Sequence, residues 1–216
     1  FRANLPSGQR GKGEIGIAAR NTFDLSLTWS QILTRKFQMA LTLDLSYQNG
    51  LLSTPFHRVY MNDGSLLRET LPDRRFKVPV GLRANYFVGE KIIIRSFYRY
   101  YQDDWGMTSH TLQIEFPYRI SSVLSVTPFY RYYHQTRIDH FAPYLENMAG
   151  AEYFSSDYDL SGFDSQFYGV GVRHTPLKMI ANLFAISQLE LRGAFYNRSD
   201  GLTAGIVTFH VQFKGF

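Results

Sequence analysis

Apolar and polar residues alternate with a period of two over most of the chain. From Phe37 to Gln48 every odd position is apolar (Phe37, Met39, Leu41, Leu43, Leu45, Tyr47), and every even one is small or polar (Gln38, Ala40, Thr42, Asp44, Ser46, Gln48). A helix would smear such a pattern around its circumference, whereas a strand puts the two sets on opposite faces. The same alternation runs through Phe23 to Ser30, Phe76 to Tyr86, Ile92 to Tyr101, Thr111 to Tyr118, Leu124 to Tyr133, Tyr168 to Val172, Leu189 to Phe195 and Val207 to Phe213. About nine antiparallel strands are expected, roughly 11 to 14 residues long by pattern, about twice the usual strand of a globular protein.

The links between these strands alternate as well. Thr34-Arg35-Lys36, Gly89-Glu90 and Ser121-Ser122 read as tight turns, while residues 49–75 and 138–164 are long loops. Asp103 to Gly106 and Asn197 to Gly201 are short but fall at the same end as the long loops. The segment from Thr175 to Ala185 is the exception at the tight-turn end, and Leu177 to Phe184 is expected to form one or two amphipathic turns. Short turns at one end and long loops at the other are the habit of bacterial outer-membrane barrels, with the turns in the periplasm.

The apolar faces end in aromatics. Trp29, Phe37, Tyr86, Tyr118 and Phe213 fall near one rim, and Tyr47, Tyr98, Tyr100, Tyr130, Tyr132 and Phe195 near the other. Two aromatic girdles around an apolar band suit a barrel wall facing lipid. The opposite faces carry Lys77, Arg83, Arg95, Arg99, Arg131, Arg173 and Arg192 against Asp24, Asp44, Glu115 and Glu190. These charges are expected to face a lumen, as an anion-preferring pore or as an internal lattice of ion pairs that plugs the barrel.

Composition agrees once the faces are separated. The 216 residues include 15 Tyr, 18 Phe and no Cys, with a formal charge of +5. Zero Cys excludes a disulfide scaffold, a thiolate nucleophile and a Cys-ligated zinc or iron–sulfur site. The mean hydropathy of -0.22 suits a soluble protein at first sight, and no apolar run approaches the ~20 residues of a membrane helix. A barrel wall has this low average because half of each strand faces a polar interior.

Strand direction gives an expectation about completeness. The first and last strands both run toward the turn end, and alternation extends upstream through Ile15 and Ile17. Residues 1–13 then read as the remnant of an extracellular loop and 14–216 as the C-terminal portion of a larger barrel, with the C-terminus in the periplasm.

Several segments resemble a family of bacterial outer-membrane barrels described only as a domain of unknown function. They are the loop Gly50-Leu51-Leu52-Ser53-Thr54-Pro55-Phe56-His57-Arg58-Val59-Tyr60, the stretch Leu71-Pro72-Asp73-Arg74-Arg75, the run from Tyr98 to Thr111, and Arg131-Tyr132-Tyr133-His134-Gln135. The resemblance covers most of Asn21 to Phe141, and Asp103-Asp104-Trp105-Gly106 is its most specific part. It implies a longer precursor, a signal peptide and a full barrel, and it supplies no reaction and no substrate. Phe209, Val211, Phe213 and the terminal Phe216 resemble the signal read by barrel-assembly machinery. Phe216 is out of phase with Phe213; either a bulge at Gly215 restores it or the last two residues leave the strand.

Tyr98-Arg99-Tyr100-Tyr101 and Tyr130-Arg131-Tyr132-Tyr133 interleave Arg and Tyr as nucleic-acid binders do. The arginines point away from Tyr98, Tyr100, Tyr130 and Tyr132, which favours the girdle. Asp103-Asp104 and the carboxylates Asp139, Glu146, Glu152, Asp157, Asp159 and Asp164 suggest calcium only as loops, with no spacing that names a motif. The basic residues His57, Arg58, Arg68, Arg74 and Arg75 of the other loop would contact this acidic loop or an external partner. A lipase would need a serine in register with His110 or His134 on the lipid face, and Ser109 points inward.

The expectation is therefore a non-enzymatic outer-membrane β-barrel, either porin-like or a structural subunit of an envelope complex. No metal and no cofactor are expected. Its partners would be outer-membrane lipid, the barrel-assembly machinery and other envelope subunits at the extracellular loops, with no nucleic acid. The alternatives are a lipase-like barrel enzyme and a soluble β-sandwich binding module.

Overall fold

The computed structural model describes residues 19–54, 56–175, 179–180 and 184–215. The proposed loop remnant 1–13, Ile15, Ile17, Pro55, Leu177 and Phe216 lie outside them. The chain is all β apart from one short 3-10 turn at Tyr158–Leu160. Its strands are β1 (Arg20–Thr34), β2 (Phe37–Gly50), β3 (Arg58–Tyr60), β4 (Leu66–Arg68), β5 (Arg74–Val88), β6 (Ile92–Asp103), β7 (Thr108–Glu115), β8 (Tyr118–Arg119), β9 (Leu124–Gln135), β10 (Phe163–His174), β11 (Met179–Ile180), β12 (Phe184–Arg198) and β13 (Thr203–Gly215).

One antiparallel sheet holds all of these except β3 and β4, in the order β1, β2, β5, β6, β7 with β8, β9, β10, β12 and β13. β11 continues the β10 side of β12. Every contacting pair of strands is a pair of sheet neighbours, so among the described residues the sheet is a single layer. That is not the architecture of a two-sheet sandwich. All fifteen residues of β1 are exposed, as are most of the described residues of β13. Among the described residues β1 pairs with β2 alone and β13 with β12 alone.

Registers run almost without slip, which preserves the two faces across the sheet. Three irregularities correct the sequence reading. The strand expected from Thr111 to Tyr118 breaks after Glu115, because Pro117 has no N–H to donate. Phe116 N still donates to Pro128 O at 3.0 Å, and β8 resumes in the same register. The expected bulge at Gly215 is absent, since Gly215 pairs regularly with Phe184. The extra residue is Ser187 on β12, between the pairs Ile186–Phe213 and Gln188–Gln212. The amphipathic turns expected over 177–184 are contradicted at Met179–Ile180, which is extended and paired with β12.

The two buried apolar clusters lie in the loops and their turns, while single buried residues such as Phe129 and Ala194 lie on the sheet. Residues 50–74 contain the β3–β4 hairpin, whose turn places Ser65 N 2.9 Å from Asp63 Oδ1. The hydroxyl and then the N–H of Ser65 hold the Asp63 carboxyl below its usual range. Leu71, Trp105, Met107, Ile138 and Phe141 form one cluster, and Val59, Met61 and Phe154 another. Both clusters join loop 50–74 to loop 136–162, so these two loops pack against each other as one cap.

Candidate functional site

The register places all eleven charged residues singled out in the sequence on one face. Across it, Lys77 opposes Asp103, Arg83 opposes Phe97, Arg95 opposes Glu115, Arg131 opposes Gln113 and Phe167, and Arg173 opposes Glu190. This face is concave. Glu115 on β7 and Arg192 on β12 are three strand spacings apart, about 14 Å on a flat sheet, yet their oxygen and nitrogen stand 3.8 Å apart. Arg192 reaches that far by lying over Gly171, where an added Cβ would come within 3.1 Å of its Cγ.

The charges form two linked groups. Glu190 is buried and pairs with Arg173 at 2.9 Å and with Arg192. Glu115 stands 3.8 Å from both Arg95 and Arg192 and accepts from Gln113 at 2.9 Å. Asp44 stands 3.8 Å from Arg99. Among the described residues Arg83 and Arg131 have no carboxylate partner. Arg131 Nε donates to Gln113 at 2.8 Å and its guanidinium lies 5.7 Å from the Phe167 ring, while that of Arg83 lies 5.7 Å from Phe97.

Two of the cavities on this face share part of their lining. One, of about 590 Å³, is lined by Arg83, Arg95, Arg131, Phe97, Gln113 and Glu115, among others. The second, of about 660 Å³, includes Arg99, Tyr133, Phe167 and Arg198. Phe97, Gln113 and Arg131 line both. The inward rings Phe97, Phe129 and Phe167 escape the sequence reading as functional candidates, although their phase, opposite to that of the eleven girdle aromatics, marks them in the sequence.

The eleven girdle residues lie on the other face, with Tyr47 opposite Phe76, Phe37 opposite Tyr86, Tyr118 opposite Val126 and Tyr168 opposite Phe195. At the loop end of this face a polar cluster interrupts the apolar surface. Tyr98 Oη lies 2.8 Å from His110 Nδ1, and His134 Nδ1 lies 2.9 Å from Asp164 Oδ1, which also accepts from Tyr132. The rings of His110 and His134 stack at 6.5 Å. Ser109 is buried on the opposite face, and among the described residues no serine is hydrogen-bonded to either histidine.

The most specific segment of the sequence is a structural knot. Asp103 was read as part of an exposed turn, but its side chain is fully buried at the end of β6. Its Oδ1 accepts from the backbone N–H of Trp105 at 3.0 Å and of Met107 at 3.1 Å. Its Oδ2 accepts from Arg75 Nε at 2.9 Å and from Tyr101 Oη at 2.6 Å. Asp104 accepts from Phe76 N, and the Trp105 indole donates to Arg74 O at 2.8 Å. The Arg75 guanidinium stacks 4.3 Å from the Trp105 ring. Gly106 has φ +85°, and an added Cβ would stand 2.5 Å from Asp139 Oδ1. This segment thus ties β5, β6 and β7 to loop 136–162.

Two carboxylates of that loop, Asp157 and Asp159, are engaged separately. Asp157 caps the 3-10 turn through Asp159 N, and Asp159 accepts from the buried Arg198 at 2.6 Å. Among the described residues no three His, Cys, Asp or Glu side chains gather as metal ligands. The two loops meet through apolar contacts, the Ser155 hydroxyl donating to Glu69 at 2.6 Å and backbone bridges at Met61–Asn147 and Thr70–Phe154, and not through the opposite charges noted in the sequence.

These features define an all-β protein built on one antiparallel sheet, with a charged concave face, an apolar opposite face and a packed loop cap. The chain belongs to the family described as "Protein of unknown function (DUF3570)", which it matches over residues 8–205. No curated protein matches it.

Proposed function

We propose that this sheet is the wall of an outer-membrane β-barrel, with the apolar face in lipid and the concave face on a lumen that passes anions. The observation that carries the reading is an apolar face on which none of the described residues packs. Leu25, Leu27, Trp29, Leu41, Leu82, Tyr98, Leu112, Tyr130, Val170, Leu191 and Phe209 are all exposed there. Soluble monomers rarely leave contiguous apolar patches beyond a few hundred Å², and a single-layer sheet has no second layer to cover its face. Lipid supplies that cover.

Strand direction adds a constraint. The turns at Arg35–Lys36 and Gly89–Lys91 lie at the end opposite the cap, and counting through the sheet makes β1 and β13 run the same way. An antiparallel closure therefore needs an odd number of further strands between these edges. Unpaired backbone groups cost several kcal/mol each in hydrocarbon, so a membrane wall requires such strands.

The lumen reading draws on the charge count of the concave face, seven cations against four carboxylates among the residues named above. Among the described residues Lys77, Arg83 and Arg131 are the cations of this set without an ion pair to a carboxylate. A structural role for the same wall is favoured by the lattice through Glu115, Glu190 and Arg192, which narrows the concavity. Planar-bilayer recording of the full chain separates the two. Anion-preferring channels, by reversal potential across a salt gradient, are expected. Absence of conductance in a correctly inserted protein, or cation preference, contradicts the passage reading.

A further inference from the structure

We propose that the concave face holds a binding site for organic anions that carry a flat apolar body, an aromatic carboxylate being the simplest case. The proposal rests on the passage reading of this face and names the class of solute held there.

A water-facing surface built only to pass ions has no use for rings in mid-strand. Here three are set among the arginines, with Arg83 5.7 Å from Phe97, Arg131 5.7 Å from Phe167 and Arg192 5.5 Å from Phe129. The three pairs are not equivalent. Arg192 is ion-paired with Glu115 and Glu190, and Phe129 beneath it is buried. Arg83 and Arg131 keep their charge among the described residues, and Phe97 and Phe167 are only half-buried. Free guanidinium and free ring therefore coincide at Arg83, Phe97, Arg131 and Phe167.

They also coincide in space. Arg83, Phe97 and Arg131 line the 590 Å³ cavity, and Phe97, Arg131 and Phe167 line the 660 Å³ one that joins it. Gln113 fixes Arg131 through its Nε at 2.8 Å, which leaves the two terminal nitrogens of the guanidinium for a ligand. A planar guanidinium fork matches a carboxylate in two parallel hydrogen bonds, and a ring laid on Phe97 completes the contact by offset stacking. A small inorganic anion would use the cations and leave the rings in water. A neutral apolar molecule would leave the cations unpaired. A solute with both parts uses both.

The test is titration of the full chain, refolded in detergent, with benzoate, acetate and benzyl alcohol, followed by calorimetry. Benzoate should bind about tenfold tighter than either probe that carries one of its two parts, and Arg131→Gln or Arg83→Gln should each weaken benzoate by about tenfold, as for loss of a charged hydrogen bond. Phe97→Leu, which keeps an apolar side chain of similar size, should bring benzoate down to the acetate level and leave acetate unchanged. Folding of each variant is checked by its heat-dependent gel mobility. Benzoate binding no tighter than acetate, or unaffected by the double change R83Q and R131Q, overturns the proposal. Benzoate binding that persists in a protein without conductance overturns the passage reading alone.

Discussion

Arg75 Nε donates to Asp103 Oδ2 at 2.9 Å across 28 residues of sequence, and the Asp103 side chain has no solvent access. A buried carboxylate of this kind is held by its partners, since removing one leaves the other desolvated and unpaired. Asp103→Asn should therefore destabilise the cap by about 3 to 5 kcal/mol, measured by denaturant unfolding of the refolded chain. Replacing both residues by apolar ones, Arg75→Met with Asp103→Leu, should cost less than the sum of the single changes. Additive losses would mean that the two residues act independently.

Glycine substitutions separate steric from neutral positions. At Gly169 a Cβ would stand 2.2 Å from Gly193 O, and at Gly106 it would meet Asp139 with φ at +85°, whereas at Gly193 it would meet nothing within 4 Å. Gly169→Ala and Gly106→Ala should each cost more than about 1 kcal/mol, because an L side chain fits neither backbone. Gly193→Ala on the open face should be close to neutral. Midpoints of urea unfolding for the three variants check the order.

Glu115 is shared between two arginines, Arg95 and Arg192, both at 3.8 Å. Glu115→Gln keeps the shape of the side chain and frees both cations, so anion preference in bilayer recordings should rise. Arg131→Gln should lower it. The reversal potential under a potassium chloride gradient reads both changes, and a shift of the same sign in the two variants would contradict a charge-controlled lumen.

The two faces should tolerate charge differently. Leu82 on β5 is an exposed apolar residue between Leu41 and Tyr98. Leu82→Arg should destabilise the inserted protein by about 2 to 4 kcal/mol, the cost of Arg at mid-bilayer. Thr42→Arg on the opposite face, two residues from Asp44, should cost far less. Equal tolerance at the two positions would place both faces in water.

The strands and their faces were legible because alternation is local. Phe37 to Gln48 announces β2 by itself, and the register then carries its phase to both neighbours. What escaped the pattern depends on distant partners. The burial of Asp103 follows from Arg75 and Tyr101, and the pairing of His134 with Asp164 spans 30 residues. The cap has no periodicity to read, since Trp105, Ile138 and Phe141 meet across irregular backbone. The break at Pro117 was readable from the missing N–H, but nothing local marks the bulge at Ser187, which shows only in the pairing with β13. In the candidate site the arginines were legible as charges, while their selective neutralisation by Glu115 and Glu190 required the curvature of the sheet.

The central claim is that the apolar face lies in lipid. The chain contains no Cys, so single cysteines placed from Met39 to Ser46 on β2 can each carry a nitroxide in the otherwise native protein inserted in liposomes. Collision rates with oxygen, which concentrates in lipid, and with a water-soluble nickel chelate should alternate in opposite phase. The odd positions Met39, Leu41, Leu43 and Leu45 should favour oxygen, and the even positions Ala40, Thr42, Asp44 and Ser46 should favour nickel. Equal nickel access on both faces, or an apolar face shielded from both reagents, would contradict the account.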